Sequence, residues 1–221
     1  MKEENLKELK IMIIGSSGTG KTSFVQRWTN GRFSDEYKPT IVNEFGFKIY
    51  ESRNILFRVQ LWDIGGQDKS ASMAKIFARD SHGCLVFTDI NSNESAEEIV
   101  KWKQIIDEQS VFIDDGSIPF ILIINKIDLV ENDKEKYDII NEKFKCISEK
   151  YGFVNYYLTS GKKDINVNES MTFLLENIID RIQKYCEENN QVIGRQKRKD
   201  TILLKRGTER KYRKEGECCN V

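Results

Sequence analysis

Two hydrophobic rhythms alternate along the chain. Leu9 to Ile14 is a short apolar run, followed by glycines and then a helix-like stretch that begins at Lys21. Glu44 to Glu51 and Ile55 to Asp63 are rich in Phe, Ile and Val. The second of these sets Leu56, Arg58 and Gln60 against Phe57, Val59 and Leu61, the weak alternation of a strand. Cys84–Phe87 and Phe120–Ile124 are continuous apolar runs, the pattern of parallel strands buried on both faces. Between them Ile99, Trp102, Ile105 and Ile106 fall at helical spacing. Met171, Leu174, Leu175, Ile178, Ile179, Ile182 and Tyr185 mark one face of a last helix. Strands alternating with helices predict an α/β fold, a mostly parallel sheet with helices on both sides.

The pattern changes at about Cys186. Beyond it apolar residues thin out, and only Ile202, Leu203 and Leu204 cluster. Residues 1–186 therefore read as one domain and residues 187–221 as a largely disordered tail. Composition agrees: 221 residues, 39% apolar and 32% charged, suit one soluble domain. The longest apolar run, Phe120–Ile124, is too short to span a bilayer. Met1–Lys10 carries six charged residues and lacks the apolar core of a secretory signal. Five cysteines without a C-x-x-C pair suit a reducing compartment.

Charge adds an asymmetry. The chain is neutral overall, with 35 basic and 35 acidic residues, yet residues 195–221 hold ten Lys/Arg against four Asp/Glu. Such a tail seeks an anionic membrane, a nucleic acid or an acidic protein. Its run Arg195–Lys199 has no interleaved aromatics and no recognition fold around it, so a nucleic-acid partner is not expected.

The chemistry begins right after the first strand. Gly15, Ser16, Ser17, Gly18, Thr19, Gly20, Lys21 and Thr22 fit G-x-x-x-x-G-K-[ST] in full and open a helix. Glycines let the backbone wrap a phosphate with its N–H groups turned inward, and the helix N-terminus adds positive potential. Lys21 places a point charge on the terminal phosphates, and the Thr22 hydroxyl is a ligand for Mg²⁺. Asp63 ends an apolar strand, where a carboxylate faces the ligand crevice, and supplies a second metal ligand. Gly66 follows it and offers a backbone N–H to the terminal phosphate. Asn125-Lys126-Ile127-Asp128 ends another buried strand. A carboxylate there accepts from the two adjacent donors of guanine, which adenine lacks, so GTP and not ATP is expected.

With these motifs in place the sequence resembles the small GTPases, and within them the Rab family. The resemblance covers about Leu9 to Tyr185 and the last four residues. It rests on Gly15–Thr22, Thr40, Asp63–Gln67, Asn125–Asp128 and Thr159-Ser160-Gly161-Lys162, with Trp62 and the terminal pair Cys218-Cys219 as Rab marks. Lys101-Trp102-Lys103 and Asp115–Pro119 resemble a Rab subgroup associated with lysosome-related organelles.

The resemblance implies a P-loop NTPase fold with a six-stranded sheet, one strand antiparallel. It implies GTP/GDP and Mg²⁺ as ligands, with Thr40 joining Thr22 and Asp63 at the metal. Phe33 is expected against the guanine, Tyr37 over the phosphates, and Ser160, Gly161 and Lys162 around the base; Ser23 extends the phosphate contacts. Gln67 is expected to aim the attacking water, with Lys21 and Gly66 as its catalytic partners. Phe45, Trp62 and Phe77 form the surface that Rab effectors read. A GEF, a GAP, a GDI or escort protein and effectors are the implied partners of a monomer. Geranylgeranyl groups on Cys218 and Cys219 are expected to hold it on the cytosolic face of an intracellular membrane, since two lipids anchor where one does not.

Several positions depart from the family pattern. Val42 stands where Gly is usual, Gly65 where Ala is usual, and Asp68-Lys69-Ser70 where Glu-Arg-Phe is usual. Ala78 replaces a Tyr and Gly161 an Ala. These bear on hydrolysis and effector choice more than on binding. The alternative they raise is a GTP-loaded membrane scaffold with negligible hydrolysis. His82 and Cys84 read as structural residues.

Overall fold

The computed structural model describes residues 6–36, 44–66, 70–92 and 94–189. Six strands form one sheet: β1 (Lys7–Gly15), β2 (Glu44–Ser52), β3 (Ile55–Asp63), β4 (Gly83–Asp89), β5 (Phe120–Asn125) and β6 (Asn155–Leu158). Their order is β2-β3-β1-β4-β5-β6; β2 runs antiparallel to β3 and every other pairing is parallel. The expected α/β, mostly parallel six-stranded sheet with one antiparallel strand is therefore present.

Among the described residues, five α-helices cover it: α1 (Lys21–Asn30), α2 (Ser70–Phe77), α3 (Ala96–Asp107), α4 (Lys134–Lys150) and α5 (Val167–Glu188). Adjacent residues of β4 show that both faces are covered, because successive strand side chains point opposite ways. A Cβ on Gly83 would lie 2.7 Å from Ile178 and 3.1 Å from Leu174 of α5. Cys84, its neighbour, is fully buried on the other face, close enough to Lys103 and Asp107 of α3 to feel their charge. Burial, the dominant effect, raises the Cys84 thiol well above its ordinary pKa, so it is an inert core residue.

The central strands β4 and β5 are buried along their whole length, as their continuous apolar runs require. β3 buries Phe57, Val59, Leu61 and Asp63 and leaves its other face less covered, as its alternation predicts. α5 ends at Glu188, two residues past the expected boundary at 186. No helix of the described residues is long and apolar enough to cross a membrane.

The β2–β3 turn is fastened to α5. Arg53 and Asn54 both take left-handed backbone (φ 54° and 61°), the geometry of a two-residue hairpin turn. Next to it, Tyr50 donates to Glu176 at 2.7 Å and Ser52 to the same carboxylate at 3.1 Å. Arg53 binds Asp180 and Gln183 one and two turns further along the helix. Burial, the largest cause, and the hydrogen bond to Glu176 push the Tyr50 phenol up to about 12.

His82 joins β1 to the approach of β4. The Lys10 amide donates to His82 Nδ1 at 3.0 Å, and the His82 amide donates to the Lys10 carbonyl at 2.8 Å. Nδ1 must stay unprotonated to accept, and desolvation holds the imidazole to about 4, below its usual 6.5. An unfolded chain takes up that proton first as pH falls. Stability present above about pH 6.5 is therefore lost as pH drops toward 4, by about 3 kcal/mol. Denaturant unfolding at pH 7 and at pH 4.5 should show this loss, and His82→Gln should remove that part of the slope.

Candidate nucleotide site

The site lies at the carboxyl ends of β1, β3, β4 and β5, where the strand order turns back on itself. The segment Gly15–Gly20 joins β1 to α1. Gly15 needs to be glycine, since at φ 132° a Cβ would sit 2.1 Å from the Phe87 carbonyl oxygen. Gly20 precedes α1 with φ 89°, and a Cβ there would meet Asn125 Nδ2 at 2.3 Å. The loop and the strand-end asparagine are in contact only because no side chain intervenes. Gly20 gives α1 no side-chain cap, which leaves first-turn N–H groups to an anion.

Lys21 is almost fully buried, and its ammonium donates to the Gly15 and Ser16 carbonyls, both at 2.8 Å. Burial lowers it to about 8, opposed by the negative charges of Asp63 and Glu94. Thr22 donates to Asp63 Oδ2 at 2.5 Å, so the hydroxyl and the carboxylate meet across the cleft. Gly66 lies against the phosphate loop: a Cβ on it would fall 2.3 Å from the Ser17 amide nitrogen.

Asn125 is the hub. Its side chain is buried, donates to the Thr19 carbonyl at 2.9 Å, and accepts from Thr159 Oγ1 at 3.1 Å and the Gly161 amide at 3.2 Å. One amide thus joins the phosphate loop to the segment 159–162. Lys126 takes left-handed backbone (φ 67°), and its ammonium binds Asp89 at 2.7 Å. Asp128 accepts from Ser160 Oγ at 2.5 Å, and Ser160 in turn accepts from the Lys163 amide at 3.0 Å. Lys162 reaches across the rim to Asp35 at 2.7 Å, an exposed pair that solvent screens.

These residues surround a cleft of about 760 Å³, within the range of small-molecule sites. Phosphate-loop residues Ser17, Gly18, Gly20, Lys21 and Thr22, with Ser23, line one end. Asn125, Lys126, Asp128, Gly161 and Lys162 line the other, with Phe33 beside them. Gly66 also borders it. Gly15, Ser16, Thr19, Asp63 and Ser160, also expected, are not among the residues that line it; Asp63 bonds Thr22 and Ser160 bonds Asp128 beside it. Tyr37, Thr40, Val42 and Gln67, with Cys218 and Cys219, lie outside the described residues.

Three residues of this neighbourhood belong to no sequence motif. Arg27 on α1 donates to the Gly161 carbonyl at 2.8 Å and the Lys162 carbonyl at 2.9 Å, and stands 5.8 Å from the Phe33 ring centre. Asp89 holds Lys126, and Glu94 accepts a hydrogen bond from Ser16. Glu94 directly precedes Ser95-x-x-Glu98, a capping box that marks the start of α3 but does not name Ser16 as its partner.

Beyond the cleft, Phe45, Trp62 and Phe77 form one aromatic group. Phe45 meets Trp62 edge-on at 4.3 Å, and Phe77 lies 5.2 Å from Trp62. Phe45 is 62% exposed, so the group faces outward. Ala78 is fully buried, and a Cβ on Gly161 would stand 3.6 Å from its nearest neighbour, an ordinary contact. The replacement of Ala by Gly at 161 is therefore sterically neutral.

The Ras family profile matches residues 10–180. The chain belongs to the Ras family of small GTPases, which bind guanine nucleotide and hydrolyse GTP. Rab proteins are among its relatives. Ras-related protein Rab-32 of Homo sapiens is 33% identical over 213 residues, covering 95% of this chain and 88% of that protein. Ras-related protein Rab-7L1 of Homo sapiens is 31% identical over 171 residues, covering 77% and 82%. Ras-related protein Rab-32A of Dictyostelium discoideum is 32% identical over 179 residues, covering 77% of each chain. Within the family the chain is thus a Rab-type GTP-binding switch of vesicle trafficking, similar to Rab-32 and Rab-7L1. Family membership brings regulators, effectors and association with intracellular membranes as general properties.

Proposed function

We propose that the cleft between the phosphate loop and the segment 159–162 is where this switch holds and hydrolyses GTP. The observation that carries the reading is the Asn125 side chain, which ties both walls of one cleft together. In this reading the backbone N–H groups of Gly15–Thr22 and the Lys21 ammonium bind the phosphates, with Ser23 behind them. Asp128 accepts from the guanine edge, Lys126 and Phe33 flank the ring, and Ser160, Gly161 and Lys162 close round it.

Thr22 and Asp63 suit Mg²⁺, because a hydroxyl and a carboxylate already meet there and hard cations take oxygen donors. Thr40 is proposed as a further ligand. When bound, the ion neutralises phosphate charge. Gln67 orients the attacking water, while Gly66 and Lys21 hold the γ-phosphate that it attacks. Tyr37 shields the phosphates.

Hydrolysis then depends on positioning and charge rather than on covalent chemistry. Among the described residues lining the cleft there is no arginine, so unaided turnover is slow. A GAP supplying one in trans is worth about 10³–10⁵ in rate. Loss of the γ-phosphate releases Thr40 and Gly66, and this changes what effectors find at Phe45, Trp62 and Phe77. The protein acts as a monomer without a nucleic-acid partner and cycles between a GDI or escort protein, a GEF and its effectors. Geranylgeranylated Cys218 and Cys219, aided by ten upstream basic residues, hold it on the cytosolic face of its membrane.

Single-turnover GTP hydrolysis with Mg²⁺ tests the catalytic part. Slow cleavage by the unaltered protein is expected, reduced about 10²-fold in Gln67→Leu, the usual cost of a misplaced reactant. Tight binding without cleavage in either protein would favour the scaffold reading and remove Gln67 from its role.

A further inference from the structure

We infer that Glu94 is a positioning residue for the bound nucleotide: its carboxylate fixes the phosphate loop by gathering three hydroxyls, one of them from that loop. The inference rests on the nucleotide reading of the cleft and adds a residue that the sequence motifs leave out. Glu94 Oε1 accepts from Ser16 Oγ. Its other oxygen accepts from Thr88 Oγ1 at the end of β4 and from Ser92 Oγ in the following loop, both at 2.9 Å. Thr88 is fully buried, so this end of the network is anchored in the core.

The described residues on either side of Glu94 are held by hydrogen bonds of their own. Asp89 accepts from the Asn91 amide at 2.8 Å in a local turn, and the Ser92 amide bonds the Asp89 carbonyl at 3.1 Å. The Ile90 amide donates to the Asn125 carbonyl at 3.2 Å, and the Glu94 amide donates to Ser92 Oγ at 3.2 Å. On the far side, Ser95 and Glu98 cap α3 reciprocally. Glu94 thus stands between β4 and a capped helix, with one oxygen turned to the phosphate loop.

What it holds there matters for binding. Ser16 follows Gly15, and its carbonyl accepts from the Lys21 ammonium and from Thr19 Oγ1. A drift of Ser16 would misplace the Lys21 charge and the N–H groups around it. Hydrogen bonds to a charged group are the stronger kind, so a carboxylate accepting three hydroxyls makes a stiff brace. The negative charge alone would act the other way, since it repels phosphate. Positioning and charge therefore predict opposite signs on removal of Glu94.

The experiment is the dissociation rate of a fluorescent GDP from the full chain, with Mg²⁺. Glu94→Ala should release it about tenfold faster. Glu94→Gln keeps a carbonyl oxygen for Thr88 and Ser92 and turns an amide to Ser16, so it should stay within about threefold of the unaltered protein. Ser16→Ala should accelerate release, and adding it to Glu94→Ala should produce little further change, as for two members of one interaction.

Release from Glu94→Ala at the unaltered rate, or slower, would overturn the inference. So would Glu94→Gln as fast as Glu94→Ala, or fully additive effects with Ser16→Ala. If Glu94→Ala does not fold, Ser16→Ala alone decides: faster release supports the brace, and an unchanged rate overturns it. Failure of the unaltered protein to retain GDP would overturn the nucleotide reading itself.

Discussion

Asp128→Asn is expected to weaken GDP binding about 10⁴-fold while improving binding of xanthosine diphosphate. The carboxylate of Asp128 is held at 2.5 Å by Ser160 Oγ, which is fixed in turn by the Lys163 amide. Its orientation is set before any base arrives. Guanine offers two neighbouring donors, N1–H and the 2-amino group, and a carboxylate accepts both. An asparagine turns one of its own N–H groups to the amine, leaving two donors opposed in a closed site. Xanthine carries an oxygen at that position and accepts the same N–H. Sites built on such hydrogen bonds reject a mismatched partner by 10⁴–10⁵. Competition of both diphosphates against a fluorescent GDP analogue measures the exchange. An equal loss for the two nucleotides would show that Asp128 supports the fold and does not read the base.

Gly20→Ala should have the second-largest effect, lowering GDP affinity about 10³-fold. Left-handed backbone costs a non-glycine residue about 1–3 kcal/mol where the surroundings enforce it. The added Cβ would also stand 2.3 Å from Asn125 Nδ2 and force that amide aside. Asn125 then loses the Thr19 carbonyl, and a buried polar group left unsatisfied costs about 1–3 kcal/mol more. Calorimetric titration with GDP gives the affinity. Thermal unfolding with GDP should show a fall of several degrees, because about 1 kcal/mol moves the midpoint of a chain this size by 2–4 °C. Normal GDP affinity in Gly20→Ala would mean that the two walls of the cleft do not need their link.

The elements readable in the sequence are those whose burial is one-sided or complete. β4 and β5 announce themselves by unbroken apolar runs, and α5 by a stripe from Met171 to Ile182 that is buried in the structure. α2, α4 and β6 are harder to see. α4 has seventeen residues, of which Ile140, Phe144, Ile147 and Ser148 are buried, so its apolar stripe is thin. β6 has four residues and only Leu158 is buried. At the site, the three nucleotide motifs are legible because their chemistry demands fixed types at fixed spacing. Glu94, Asp89 and Arg27 are not, since each acts on a partner far away in sequence. Glu94 lies 78 residues from Ser16, and Arg27 lies 134 from Gly161. Nothing local says which acid reaches which loop, only the closure of β4 beside β1 does.

The clasp between Tyr50, Ser52, Arg53 and α5 has a mechanical side. Glu176, Asp180 and Gln183 occupy successive turns of one helix edge, and all three are engaged by the same hairpin turn. A pull on the chain beyond Glu188 therefore reaches these bonds in turn along α5, at Gln183, Asp180 and Glu176. The load passes into β2 and β3, whose nine-residue antiparallel pairing spreads it across the sheet. A tether at that end of the molecule would thus tug on the same two strands that carry Phe45 and Trp62.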